Sequence, residues 1–358
     1  MALGSLWRRP PAPLLGIDIS SSSIKLVELG QDKSGAWVLE RCASEPLEKG
    51  SMSDGNIEKF DEVAEALRRL VKKSGSKAKQ VALALPHTAV IAKRIVLPAS
   101  LGEQEMELHV ESEASQYIPF SLDEVSLDFC VLGQNAKNID DVDVLLAASR
   151  KEKVEDRQGL AEAAGLQAAV LDVETYAARL AAARLIAKLP HGGRDALVAL
   201  FKVGGASTSL QVVRNDELLF EREQSFGGGQ LTQMLAKHYG FSHEEAEAKK
   251  RAGDLPGDYA AVVLQPFMES LAAEIGRSLQ FFFTSTPYHS VQQVLVFGGS
   301  AGLPGMDKVI AEHTKVPVAI ANPFQDMRMG SGVRIKRLEQ EAPAYLAACG
   351  LAMRRFLQ

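Results

Sequence analysis

Cysteine is scarce: Cys42, Cys130 and Cys349 are the only three in 358 residues, far apart, odd in number and without a CxxC pair. That spacing speaks against a disulfide framework and against a thiolate metal site, and leaves reduced, mostly buried thiols as the expectation. No stretch reaches the ~20 consecutive apolar residues of a membrane span; even the alanine-rich run 177–189 carries Arg179, Arg184 and Lys188. The opening MALGSLWRRPPAP places its arginines after a very short apolar piece, the reverse of a secretory signal. Residues 1–13 are therefore expected as a flexible leader and the chain as cytoplasmic. The seven histidines lack metal-ligand spacing, and neither HExxH nor GxSxG occurs, so zinc-hydrolase and triad chemistry have little support. A net charge of -5 gives no hint of a nucleic-acid surface.

What is present is a hairpin written twice. Residues 15–28, LGIDISSSSIKLVE, are an apolar strand, a turn of small polar residues and a second apolar strand; residues 199–212, ALFKVGGASTSLQV, repeat the layout 184 positions later. Each copy leads into a third strand, near 36–42 and 217–223, and then a helix. A β-β-β-α unit occurring twice predicts an α/β protein of two related halves facing each other. Residues 58–73 place Val63, Leu67, Leu70 and Val71 on one helical face, with Gly75 as the stop. Residues 87–150 differ in character and read as an inserted α+β subdomain: alternating IAKRIVLP, the acidic helix EQEMELHVESEASQY, then two strands. The expected partition is 14–86 with 151–195 and 325–358 as one domain, 87–150 as the insert, and 196–324 as the second domain with a helical part near 230–290. A last helix, about 341–357, should pack back on the first domain.

The residues that carry chemistry lie at the turns. Asp18 ends an apolar strand, where a buried carboxylate is costly unless it faces a cation or donors; capping the Ser turn is the plainer role. Ser20, Ser21, Ser22 and Ser23, with Lys25 nearby, offer hydroxyls and N–H groups to an anion, and Gly204, Gly205, Ser207 and Thr208 allow close backbone approach in the second turn. Gly227, Gly228 and Gly229 open a helix, where N–H groups and the dipole favour an anion or ribose oxygens, though tight helix packing would also want glycine. Glu247 and Lys250 share one face of a capped helix, and a solvated charge pair competes with a ligand role. Gly298, Gly299 and Ser300 make a turn too small to crowd a base, or an ordinary strand-to-helix loop. Glu174 begins a helix at a strand end; it either orients a water or serves the helix dipole.

These elements, in this order and spacing, resemble the five nucleotide-contacting segments of actin-like ATPases. The wording LLGIDISSSSIKLVEL, ESEASQYIPF, FGGGQLT, GFSHEEAEAKK and EAPAYLAACGLAMRR is similar to that of the PilM family, cytoplasmic actin-like proteins of type IV pilus assembly related to FtsA. The resemblance spans nearly the whole chain. It implies two ribonuclease-H-like domains around a cleft that binds ATP and Mg, with Asp18 holding magnesium through water, Glu174 positioning an attacking water, and Glu247 and Lys250 reaching sugar and base. Lys202 departs from the pattern: an acid is usual there, opposite Asp18 in the repeat, and an ammonium would repel the metal while being able to contact phosphate, so slow or no hydrolysis is expected. The implied partner is the cytoplasmic N-terminal tail of a PilN-like inner-membrane protein, through which the protein would sit at the membrane, with other pilus motor components and self-association as further candidates. Glu107, Glu111 and Glu113 of the acidic helix and Arg94 and Val96 of the KRIVLP edge are the residues expected to receive that tail. An FtsA-like filament-forming ATPase and a small-molecule kinase remain the alternatives.

Overall fold

In the computed structural model, which describes residues 12–333 and 335–357, the first hairpin is β1 (Leu14–Ile19) and β2 (Ser23–Gln31), continued by β3 (Trp37–Pro46). Of the leader expected over residues 1–13, residues 1–11 lie outside the described residues. A short hairpin, β4 (Met52–Ser53) and β5 (Asn56–Ile57), leads to α1 (Phe60–Ser74). Its apolar stripe buries Val63, Ala64, Ala66, Leu67 and Leu70, and Gly75 closes it in the left-handed conformation at φ 65°. Then come β6 (Gln80–Leu85), β7 (Val90–Pro98), α2 (Glu103–Tyr117), β8 (Val125–Gln134), β9 (Asp141–Arg150), α3 (Lys151–Ala163), β10 (Gln167–Val173) and α4 (Glu174–Ile186).

The second half runs β11 (Val198–Val203), β12 (Thr208–Arg214), β13 (Glu217–Gln224), α5 (Gly228–Tyr239), α6 (His243–Ala252), α7 (Gln265–Ser285), β14 (Gln293–Phe297), α8 (Met306–Thr314) and β15 (Val318–Ile320). The chain closes with β16 (Arg328–Met329), α9 (Ile335–Glu341) and α10 (Leu346–Met353). The long helix expected over 258–284 begins with a π turn, Ala260–Leu264, ahead of Pro266. The single last helix expected over 341–357 is broken by a 3-10 turn, Ala342–Tyr345, because Pro343 removes a donor and clashes with the preceding turn.

Among the described residues, three larger sheets besides the β4–β5 pair carry this order. The first is β10-β6-β1-β2-β3-β16, the second β13-β12-β11-β14-β15, and the third β7-β9-β8. In the first two, the repeated hairpin is antiparallel and its first strand pairs in parallel with a later one, β1 with β6 and β11 with β14. The third sheet buries Ile95, Leu97, Val144 and Leu146 against Met106 and Val110 of α2, and leaves β7 and β8 as its edges.

The core joins the halves. All eight residues of α10 are buried, and six of them share one core cluster with Ala178 and Ala182 of α4 and with Leu200, Leu295 and Phe297 of the second sheet. The thiols correct one expectation: Cys349 is buried and Cys42 half-buried, but Cys130 is exposed, because it alternates with Phe129 and lies on the face of the third sheet opposite the one packed on α2. No helix among the described residues is long and apolar enough to cross a membrane.

Candidate functional site

The two small-residue turns are built alike. The N–H of Ser20 donates to the Ser23 carbonyl at 3.0 Å in the first, and the N–H of Gly204 to the Ser207 carbonyl at 2.9 Å in the second. They also face each other: a Cβ on Gly205 would stand 3.3 Å from Ser21 Oγ and 3.8 Å from Ser22 Oγ. The cleft around them has a cavity volume of about 680 Å³, within the range of small-molecule sites. Its wall includes Asp18, Ser20, Ser21, Ser22, Lys25, Glu174, Lys202, Gly204, Gly205, Ser207, Gly298 and Gly299. Gly298 is required there: its φ is 104°, and a Cβ would meet the Val203 carbonyl at 2.5 Å.

Charge gathers on the inner wall. Strand pairing sets Asp18 opposite Lys25, and both are almost fully buried. Burial, then the like charge of Glu174, raises the Asp18 carboxyl above its ordinary pKa, against Lys25, Lys202 and Arg157. Burial lowers the Lys25 ammonium, whose Nζ donates to Ser23 Oγ at 2.8 Å and Ser20 Oγ at 3.3 Å. Lys202, in the register position of Asp18 within the second hairpin, donates to Glu174 Oε1 across the halves. Burial alone would push the Glu174 carboxyl up, but the charge and hydrogen bond of Lys202 hold it below its ordinary value. The same pairing overcomes burial and raises Lys202. Glu174 is thus engaged by an ammonium, which removes the free carboxylate expected to orient a water.

The cleft also holds charged residues that were not anticipated, among them Arg157, His87 and Glu223. Arg157 of α3 is buried, its guanidinium donating to the Gly55 carbonyl at 2.7 Å and the Ala84 carbonyl at 3.2 Å. His87 Nε2 lies 3.5 Å from Glu223 Oε2 at the mouth, and Ser207 Oγ also donates to Glu223. Arg157 sits three and four positions before Leu160 and Ala161, on the face that α3 buries, a spacing masked in the sequence by the charged residues around it.

Other expected residues line no part of this cavity. The Thr208 hydroxyl donates to the Phe226 carbonyl at 2.6 Å. At the start of α5, the Gly228 and Gly229 N–H groups donate to the Gly204 and Gly205 carbonyls at 2.8 Å, and the Gly227 N–H to Gln230 Oε1. The triple glycine therefore spends its donors on docking α5 against the second turn, which it can approach because side chains are absent: a Cβ on Gly227 would meet both carbonyls at 2.7 Å. Ser300 packs beside Gly228 and donates to the Gly204 carbonyl at 3.3 Å. Glu247 accepts from Lys250 at 2.6 Å, Thr232 at 2.7 Å and Arg251 at 2.9 Å. Burial pushes the Glu247 carboxyl up, but these bonds outweigh it and bring it down to about 2. Because the folded value is depressed, Glu247 contributes stability above pH ~4.5 that is lost as pH falls toward ~2. Glu247→Gln should lower the melting temperature at neutral pH and narrow the gap to the unmodified protein in acid; equal gaps at pH 7 and pH 3 would refute this.

Magnesium does not fit the donor set of this wall. Glu174 is bound by Lys202 and Asp18 is held among Lys25, Lys202 and Arg157, so neither carboxylate stands apart from a cation to anchor the metal's waters.

On the third sheet, β7 is an edge strand, as the partner expectation requires. Val96 is exposed, as are Glu107 and Glu111, while Glu113 is half-buried. Arg94 corrects the expectation: its guanidinium is committed to Asp143 at 2.8 Å and to Glu217 of the second half at 2.9 Å.

Comparison with known proteins agrees with this architecture. A family model described as "Type IV pilus assembly protein PilM" matches residues 16–356. A solved structure of a PilM-PilN type IV pilus biogenesis complex is similar at 28% identity and TM-score 0.77, covering 97% of this chain and 99% of that one. Ethanolamine utilization protein EutJ from Carboxydothermus hydrogenoformans follows at 19% identity and TM-score 0.58, covering 96% and 90%. MreB 5 of Spiroplasma citri, solved bound to AMPPNP, matches at 12% and TM-score 0.50, covering 95% and 94%. The shared architecture is the actin-like ATPase fold. With its model matched over nearly the full length, this chain belongs to the type IV pilus assembly protein PilM family.

Proposed function

We propose that this protein is an ATP-binding scaffold of a type IV pilus inner-membrane assembly complex. Its cleft holds nucleotide between the two turns, and its inserted segment 87–150 grips the cytoplasmic N-terminal tail of a PilN-like membrane protein. The observation that carries the reading is the cleft wall, in which two turns present facing small residues while Lys202 engages Glu174. Such a wall suits phosphate binding, and with Glu174 tied to Lys202 it suits slow turnover. The protein should therefore release product at well under ~1 per second, a typical lower value for working enzymes; brisk hydrolysis by the unmodified protein would contradict the scaffold reading.

The partner surface is supported by where apolar side chains are exposed. Among the described residues, seven of the twelve large exposed hydrophobics, including Val96, Leu108, Tyr117, Val131 and Ile139, fall within the insert. An open β7 edge beside Glu107 and Glu111 offers backbone pairing with apolar anchors and a charge for a basic residue. In a calorimetric titration with the partner's N-terminal peptide, Glu107→Lys with Glu111→Lys should weaken binding about tenfold, roughly 1.4 kcal/mol, and leave any ATP-induced thermal shift intact. Loss of both properties together, or of neither, would put the peptide elsewhere.

A further inference from the structure

The inner wall of the cleft carries its own cation where a metal would otherwise serve. Lys202 stands at the position in the second hairpin that matches Asp18 in the first. Its side chain lines the cavity beside Gly204 and Gly205 and reaches Glu174 from the opposite half. Lys25 lies on the other side, turned onto the Ser20 and Ser23 hydroxyls, and Arg157 lies beneath, held by main-chain carbonyls. Three buried or half-buried cations thus surround two carboxylates. The further acids of the wall are Asp54, which is exposed, and Glu223, which is already approached by Ser207 and His87.

We propose that Lys202 takes the place of the divalent cation, so that this protein binds its nucleotide as the free polyphosphate anion. The inference rests on the nucleotide reading above and specifies the ligand's form. Two physical points carry it. An ammonium has three donors, so Lys202 can keep one hydrogen bond to Glu174 and turn another to a phosphate oxygen without leaving a buried charge alone. A divalent cation would need waters anchored by Asp18 or Glu174, yet Glu174 is engaged and Asp18 is drawn toward its neutral form by burial. That cation would also sit close to three like charges in a poorly solvated wall, where repulsion is strong.

The test is thermal shift and equilibrium dialysis with ATP, in excess EDTA and in millimolar magnesium. The unmodified protein should keep its ATP-induced shift in EDTA, with affinity within about threefold of the magnesium value. Lys202→Ala should bind at least tenfold more weakly in EDTA, and Lys202→Asp should bind only when magnesium is present; unliganded melting curves show whether each variant is folded. The measurement on the unmodified protein needs no variant. A shift that vanishes in EDTA and returns with magnesium would overturn the inference while leaving nucleotide binding intact. No shift under either condition would overturn the nucleotide reading, and this inference with it.

Discussion

Millimolar ATP is expected to raise the melting temperature of the unmodified protein by several degrees and to leave that of Gly299→Leu where it was. A ligand that binds only the folded state at a hundred times its dissociation constant adds about 2.7 kcal/mol, enough to move the transition of a chain this size measurably. Gly299 is the clean position for the blocking variant. It lines the cleft, is exposed, and has no atom within 4 Å of where a Cβ would stand. The Cβ of a leucine there meets no protein atom, so the unliganded melting temperature should change little. Gly298, its neighbour, would be a poor choice, since strain at its positive φ would unfold the turn before any ligand was tested. Ser22→Trp should act as Gly299→Leu does, from the opposite turn. No shift with any purine nucleotide would sink the cradle, and a shift that survives Gly299→Leu would place the ligand outside this cleft.

The turns were legible in the sequence because their information is local. Serine or glycine clamped between two apolar strands allows few backbone conformations, and the matched spacing of the two hairpins predicted that they would face each other. Side-chain partners were less legible. Lys202 and Glu174 meet only because β11 and the start of α4 come from different halves, and nothing local in a separation of 28 positions encodes that encounter. Arg157 was hidden for a different reason: α3 reads KEKVEDRQGLAEA, charged at most of its early positions, so its buried face does not stand out. The glycines of α5 misled in the opposite direction. A glycine-rich helix start reads as an anion site from its free donors, but here the helix abuts the second turn so closely that two of those donors meet carbonyls instead. Arg94 likewise read as an available charge until the second half supplied Glu217.

The second large effect concerns α10, whose role the sequence marked only as a helix packing back. Gly350→Ala should lower the melting temperature by roughly 5 °C or more, although it adds a single methyl group. The helix is buried along its whole length, and it lies against α4 so tightly that a Cβ on Gly350 would stand 1.7 Å from the Ala177 carbonyl and 2.5 Å from its carbon. On β1, a Cβ at Gly16 would meet the Ala348 carbonyl at 2.1 Å and the Ala352 nitrogen at 2.4 Å. Overpacking a core typically costs about 1–3 kcal/mol. Here the obstructing atoms are backbone, which no rotamer change can withdraw, so the cost should reach or pass the upper end. Because α10 shares one core with Leu200, Leu295 and Phe297 and contributes Ala347 to the cleft wall, displacing it should loosen the joint behind the cleft and weaken ATP binding as well. Gly257→Ala is the control: no atom lies within 4 Å of its Cβ position and its φ is ordinary, so it should melt with the unmodified protein. If Gly350→Ala and Gly16→Ala also melt within a degree of it, the helix does not approach α4 and β1 as closely as described, and the joint between the two halves must be built differently.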